Sequence, residues 1–238
     1  MTGTTSGNHK PQNLLIDADD TLWENNVYFE RAISKFISFL NHHEFSPEQV
    51  REVLNDVERE CIAKHGYGLH SFAHALVDTF ERLSLNPVTP ELHRQITGFA
   101  HSIENHAIEL LPEVSETLAY LSTRHRLILM TKGHVPEQSG KIERSGLKPF
   151  FRETEIVAEK NLTAYEALIE KHALIPEITW MIGNSPKSDI NPALAVGLNA
   201  VFVPHGDTWI LEHEEVNPAP EPQRLLIVGR FAELREHF

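Results

Sequence analysis

A single cysteine, Cys61, leaves the chain without an intrachain disulfide or a multi-cysteine zinc site. Basic residues are also scarce: Lys and Arg number 21 against 34 Asp and Glu, a formal net charge of −13. That surplus repels phosphate backbones and argues against nucleic acid as the main partner. Long apolar runs are missing too. Stretches such as Leu127 to Met130 fall far short of the roughly 20 residues a membrane span needs, so no membrane partner is expected. The polar start, Met1 to Gln12, lacks the apolar stretch of a signal peptide. Internal repeats are absent, and the only loose composition is a Thr-, Ser-, Gly- and His-rich tail placed at 1–12. The 238 residues suffice for a core without staples, as one large domain or a domain with an insertion. The expectation is a cytoplasmic globular protein, monomer or homodimer.

What is present is an alternation of strands and helices, interrupted once. Asn13-Leu14-Leu15-Ile16 is apolar on both faces and stops at Asp17, Asp19, Asp20 and Thr21, as buried parallel strands do. From about Asn25 the spacing turns helical, with Phe29, Ile33, Phe36, Ile37 and Leu40 on one face. Ser46-Pro47-Glu48-Gln49 reads as a capped helix start, and further amphipathic stretches cover Ser71 to Leu83 and Pro90 to Asn105. After Pro112 strands are expected at Leu127–Met130, Glu155–Val157, Thr179–Ile182, Ala200–Val203 and Leu225–Val228, with helices between them. The predicted architecture is α/β: a Rossmann-like three-layer parallel sheet core over 13–24 and 106–238, with an all-helical cap inserted at 25–105.

In such a sheet ligands bind outside the carboxyl ends of the strands. The polar residues there are Asp17, Asp19 and Thr21 after the first strand, then Thr131 and Lys132 after the second. Lys160 follows the third, and Asn184, Ser188 and Asp189 follow the fourth. Clustered carboxylates with a lysine and a hydroxyl suit a divalent cation and a phosphate. Leu14 to Leu22, with Asp17-Ala18-Asp19-Asp20-Thr21 at its centre, resembles the first motif of the haloacid dehalogenase-like hydrolases, D-x-D-x-T after an apolar strand. Thr131 resembles the second motif and Lys160 the third. Gly183-Asn184-Ser185-Pro186-Lys187-Ser188-Asp189 resembles the fourth, with Asn184 where that family usually has Asp.

The resemblance implies a magnesium-dependent phosphatase of small phosphorylated metabolites. Asp17 is then the nucleophile, and Asp19 the residue that protonates the leaving oxygen and activates water. Thr131 and Lys160 hold the phosphate oxygens. Mg²⁺ lies among Asp17, the backbone carbonyl of Asp19, Asn184 and Asp189. Lys160 is preferred to Lys141 because it follows the third strand, and Lys141 reads as a solvated helix residue. Lys132 reads as a surface charge near the entrance, and Asp20 as a cap or a solvent-facing side chain. His42, His43, His101 and His106 read as helix-surface residues. Trp23, Asn25, Lys64 and Tyr67 are candidates for substrate specificity, with the His205–Trp209 segment also near the sheet edge. Three other functions remain open: carbon–halogen hydrolysis, against which Asp19 argues, phosphosugar mutation, and a degenerate non-catalytic binding protein.

Overall fold

The computed structural model describes residues 10–40, 45–84, 87–104 and 106–238. Most of the tail, and the pair His42-His43, lie outside the described residues. Gln12, assigned to the tail by its composition, is tied to the sheet: its carbonyl accepts from Arg126 N at 2.9 Å and its side chain accepts from the Trp180 indole.

In chain order the elements are β1 (Asn13–Ile16), α1 (Asn26–Leu40), α2 (Pro47–His65), α3 (Leu69–Leu83), α4 (Pro90–Glu104), α5 (Val114–Ser122), β2 (Arg126–Lys132), α6 (Val135–Ser145), β3 (Glu153–Val157), α7 (Leu162–His172), β4 (Thr179–Gly183), α8 (Asn191–Ala195), β5 (Asn199–Phe202), β6 (Leu225–Ile227) and α9 (Leu234–His237). The six strands form one parallel sheet in the order β3-β2-β1-β4-β5-β6. Strand periodicity explains its two-sided burial. Leu14, Ile16, Leu129, Trp180 and Ile182 pack on one face with α5 and α9. Leu15, Ile128, Met130 and Met181 pack on the other with Tyr165 and Leu168 of α7 and Ala193 of α8. Leu14, Leu15 and Ile16 are fully buried, each contributing about 1.5–3 kcal/mol of transfer free energy. β1 lies at the centre. The chain leaves it for β2 and β3, then returns to β4 on its other side, so the switch point falls where β1 and β4 end side by side.

The block expected to be helical is helical. α1 to α4 enclose a core of their own, centred on Phe36, Leu54, Leu76 and Ile96. The capping box that starts α2 forms as its spacing predicts: Gln49 N donates to Ser46 Oγ at 3.3 Å, and Ser46 N donates to Gln49 Oε1 at 2.8 Å. Where the chain leaves the sheet for this block and comes back, the two crossings are bonded to each other. Glu24 N donates to Glu109 O and Leu111 N to Leu22 O, both at 2.9 Å, around an antiparallel bridge between Trp23 and Leu110.

Two helical segments begin irregularly. The one after β4 opens as a π-helical turn over Pro186–Ile190 that runs straight into α8. The one after β6 opens as a 3₁₀ turn at Phe231–Glu233 and continues as the short α9. Among the described residues, no helix is long and apolar enough to cross a membrane.

Candidate active site

The carboxyl ends of β1, β2 and β4 open into a cavity of about 170 Å³. Asp17, Asp19, Thr131, Lys160, Asn184 and Asp189 line it together, with Asn25 and Tyr67. Asp17 continues the ladder of β1, its N–H donating to Ile182 O at 2.9 Å. Lys160 Nζ bridges Asp17 Oδ1 and, at 2.7 Å, Asp189 Oδ1, and all three side chains are buried. Thr21 Oγ lies 3.1 Å from Asp17 Oδ2 and 3.2 Å from Asn184 Oδ1. It thus marks the point about which those two oxygens converge.

One ammonium therefore serves two buried carboxylates. Burial raises the Asp17 carboxyl, Lys160 lowers it, and Asp189 and Asp19 push it up again, to about 7. The donors here are all oxygens: two carboxylates and an amide carbonyl. A hard divalent cation fits that set and would supply the positive charge that one lysine cannot.

Asp189 is positioned by a close approach. A Cβ on Gly183 would sit 2.2 Å from Asp189 Oδ2, so only glycine lets that carboxylate reach the strand end, where it accepts from Ser185 N at 3.0 Å. Gly183→Ala is expected to displace Asp189, to cost about 1–3 kcal/mol from overpacking, and to weaken at least tenfold the binding of a divalent cation that fits this oxygen set. Calorimetric titration of both proteins checks this, and equal affinities would refute the positioning role.

Asp19 is held differently from expectation. It accepts from Lys141 Nζ at 2.6 and 2.7 Å, from Gln138 Nε2 at 2.9 Å and from the Trp23 indole at 2.7 Å. Burial alone would raise its pKa, but Lys141, Gln138 and Trp23 outweigh it and hold the carboxyl below its ordinary value. Asp19 is thus a firmly ionised group. Lys141 is corrected from a solvated helix residue to a site residue. Its direction could not be read from its place on α6, but it falls within one helical turn of Gln138 and so shares that face.

Trp23 is fully buried and orients Asp19 instead of lining the entrance. Asn25 Oδ1 accepts from Lys141 at 3.0 Å. Tyr67 Oη donates to Glu159 at 2.7 Å and accepts from Lys132 at 3.2 Å. Lys64 sits exposed in the last turn of α2, outside the cavity lining. Lys132 is likewise no surface charge. It is half-buried in an ion pair with Glu212 at 2.6 Å and bonds Ser188 Oγ at 2.8 Å. Burial works against both charges of that pair. Yet Glu212 raises the Lys132 pKa, while Lys132, Ser188 and Ser185 lower that of Glu212. Asp20 does cap: its carboxylate accepts from Asn25 N at 2.8 Å and Asn26 N at 3.0 Å, but it is buried and does not face solvent. The segment after β5 reaches the site as well, where Thr208 Oγ accepts from Asn184 Nδ2 at 3.0 Å and Trp209 lines the cavity. Glu212 had no motif to mark it.

Comparison with known proteins follows the same lines. The profile of the hydrolase family described as haloacid dehalogenase-like matches residues 12–197. A haloacid dehalogenase-like family hydrolase from Xanthomonas campestris is 26% identical, with a TM-score of 0.81 over 99% of this chain and 93% of its own. YfnB, a HAD-hydrolase from Bacillus subtilis solved bound to magnesium, is 16% identical, with a TM-score of 0.63 over 96% and 99%. L-2-haloacid dehalogenase from Xanthobacter autotrophicus, solved with chloropropionic acid covalently bound, is 14% identical, with a TM-score of 0.63 over 95% and 97%. No curated protein sequence matches the chain.

Proposed function

The chain belongs to the haloacid dehalogenase-like hydrolases, and from that premise we propose that it is a magnesium-dependent phosphatase of small phosphorylated metabolites. The observation that carries this reading is the convergence of Asp17, Lys160, Asp189 and Asn184 on one buried point, next to an acidic residue two positions past the nucleophile. Asp17 attacks phosphorus, the bond to the leaving oxygen breaks, and an aspartyl-phosphate forms. Water then attacks the same phosphorus and returns Asp17, with alcohol and phosphate as products. Lys160 and Thr131 face the phosphoryl oxygens, where charge accumulates. Magnesium, held by Asp17, Asp189, Asn184 and the Asp19 carbonyl, would neutralise the repulsion between nucleophile and phosphate.

The ionised state of Asp19 suits the second half of this cycle, in which a carboxylate takes a proton from the attacking water. In the first half the leaving oxygen needs a proton, and the ammonium of Lys141, bonded to Asp19, is the neighbouring group that carries one. Lys141→Met removes the main opposite charge beside Asp19. The Asp19 pKa then rises, so the acidic limb of the kcat/KM profile should move about one pH unit upward. An unmoved limb would detach Asp19 from the rate-controlling proton transfers.

A panel of phosphate esters assayed with Mg²⁺ tests the whole reading. Phosphate release that chelation abolishes is the expected result. Chloride release from 2-chloropropionate, without phosphatase activity, would instead assign the chain to the dehalogenases.

A further inference from the structure

The cap supplies much of the cavity wall: Phe29 from α1, Glu58 and Ile62 from α2, Ser71 and Phe72 from α3. Three of these are apolar. The other two are buried polar groups, Glu58 6% and Ser71 2% exposed, and neither Glu58 Oε2 nor Ser71 Oγ has a hydrogen-bond partner among the described residues. Buried polar atoms in folded proteins are nearly always paired. Gln138 Oε1, in the wall of the same cavity, is unpartnered as well, and three such atoms around one cavity mark where ligand atoms belong. Around Glu58, Arg51 is already engaged by Glu30 at 3.0 and 2.8 Å. Burial pushes the Glu58 carboxyl up to about 7, with Arg51 and a hydrogen bond from Trp209 of the core working against it.

The positive charges of the cavity point the same way. Lys132, Lys141 and Lys160 line it, and no arginine does among the described residues. Each lysine is already held by carboxylates: Lys132 by Glu212 and Glu159, Lys141 by Asp19, Lys160 by Asp17 and Asp189. His134 faces Glu137 at 3.2 Å. Beyond the phosphate end, then, no free cation is offered to a second anionic group.

Resting on the phosphatase reading, we propose that the cavity selects monoesters with a single phosphate and an apolar leaving group that ends in a hydrogen-bond donor, an ammonium or a hydroxyl, directed at Glu58 and Ser71. Leaving groups that carry a second phosphate or a carboxylate are excluded, because they would meet Glu58 with no cation to offset it.

Four aryl phosphates of matched leaving-group chemistry isolate this recognition: the phosphates of tyramine, tyrosol, 4-ethylphenol and 3-(4-hydroxyphenyl)propionate. They are assayed on the full chain with Mg²⁺, with 4-nitrophenyl phosphate as reference. The tyramine or tyrosol ester should exceed the ethylphenol ester about tenfold in kcat/KM, the gain of one hydrogen bond to a buried, otherwise unpaired group. The propionate ester should fall at least as far below it. Glu58→Gln should collapse the tyramine-to-ethylphenol ratio towards one, and Ser71→Ala should lower the tyrosol-to-ethylphenol ratio. Equal rates for all four esters, or a preference for the propionate, overturn the subsite while leaving the phosphatase intact. Loss of phosphate release from every ester, 4-nitrophenyl phosphate included, overturns the phosphatase reading and the subsite with it.

Discussion

Replacing Asp17 with asparagine is expected to abolish turnover, by about 10⁴-fold or more, with the fold intact. An amide is a far weaker nucleophile than a carboxylate, and no other group bonded to Lys160 at this point follows β1. Asparagine keeps the shape that Thr21 and Lys160 contact, and it removes a carboxyl that burial has already pushed up to about 7. The melting temperature should therefore stay within a few degrees of the wild type. Single-turnover phosphate release and thermal melts of both proteins make the comparison. Retention of a tenth of the activity would assign the nucleophile elsewhere.

Lys160→Met should produce the largest loss of stability. The lysine side chain is 2% exposed and bridges two buried carboxylates that no other cation among the described residues neutralises directly. Breaking a buried pair by removing one partner costs about 3–5 kcal/mol. The sign of its pH dependence follows from linkage. With Lys160 gone, the folded-state pKa of Asp17 climbs further above its unfolded value, so the folded chain binds more protons than the unfolded one through the neutral range. The deficit against wild type should then be larger at pH 8 than at pH 5. Magnesium should bind the variant more tightly, because the competing ammonium has left, and saturating ion should restore part of the stability by mass action. Activity should still fall, by about 10²-fold or more, since the proposed contact to the phosphate is lost. Denaturant melts with and without Mg²⁺, together with calorimetry, decide the matter. Undiminished stability or weaker magnesium binding would contradict the arrangement described here.

The parts of this site that were legible in the sequence are those fixed by strand ends. Asp17, Thr131 and Asp189 follow apolar runs, and parallel pairing brings such ends together whatever the details of packing. Lys160 follows β3 in the same way. Groups carried by helices were harder to place. Lys141 sits mid-helix, and whether it meets water or Asp19 depends on how α6 docks against β2, which no local spacing specifies. Lys132 misled for the opposite reason. Its position at a strand end is visible, but its partner Glu212 lies 80 residues away in a stretch with no regular pattern. Trp23 was read by its closeness to the first motif. The turn between β1 and α1 folds its ring inward, onto Asp19. Lys64 lies near Tyr67 in sequence, yet α2 carries it to the outer surface. Glu58 and Ser71 left no signal, since one acidic or hydroxylated residue per amphipathic helix is ordinary. Only the pooled geometry of two helices shows them to be unpartnered.

The paired crossings at Trp23 and Leu110 bear on how such a chain can be assembled and altered. The ends of the inserted helices are fastened side by side by backbone bonds that belong to neither helix bundle nor sheet. To the sheet, everything from α1 to α4 is a single excursion that begins and finishes at one seam. The entropy of closing an excursion grows only with the logarithm of its length, roughly 0.6 kcal/mol for each doubling. A longer, shorter or wholly different excursion could be spliced at that seam at nearly constant cost to the strands beneath. The catalytic end of the sheet would keep Asp17, Lys160 and Asp189 in register, while the wall that faces the leaving group was exchanged as a unit.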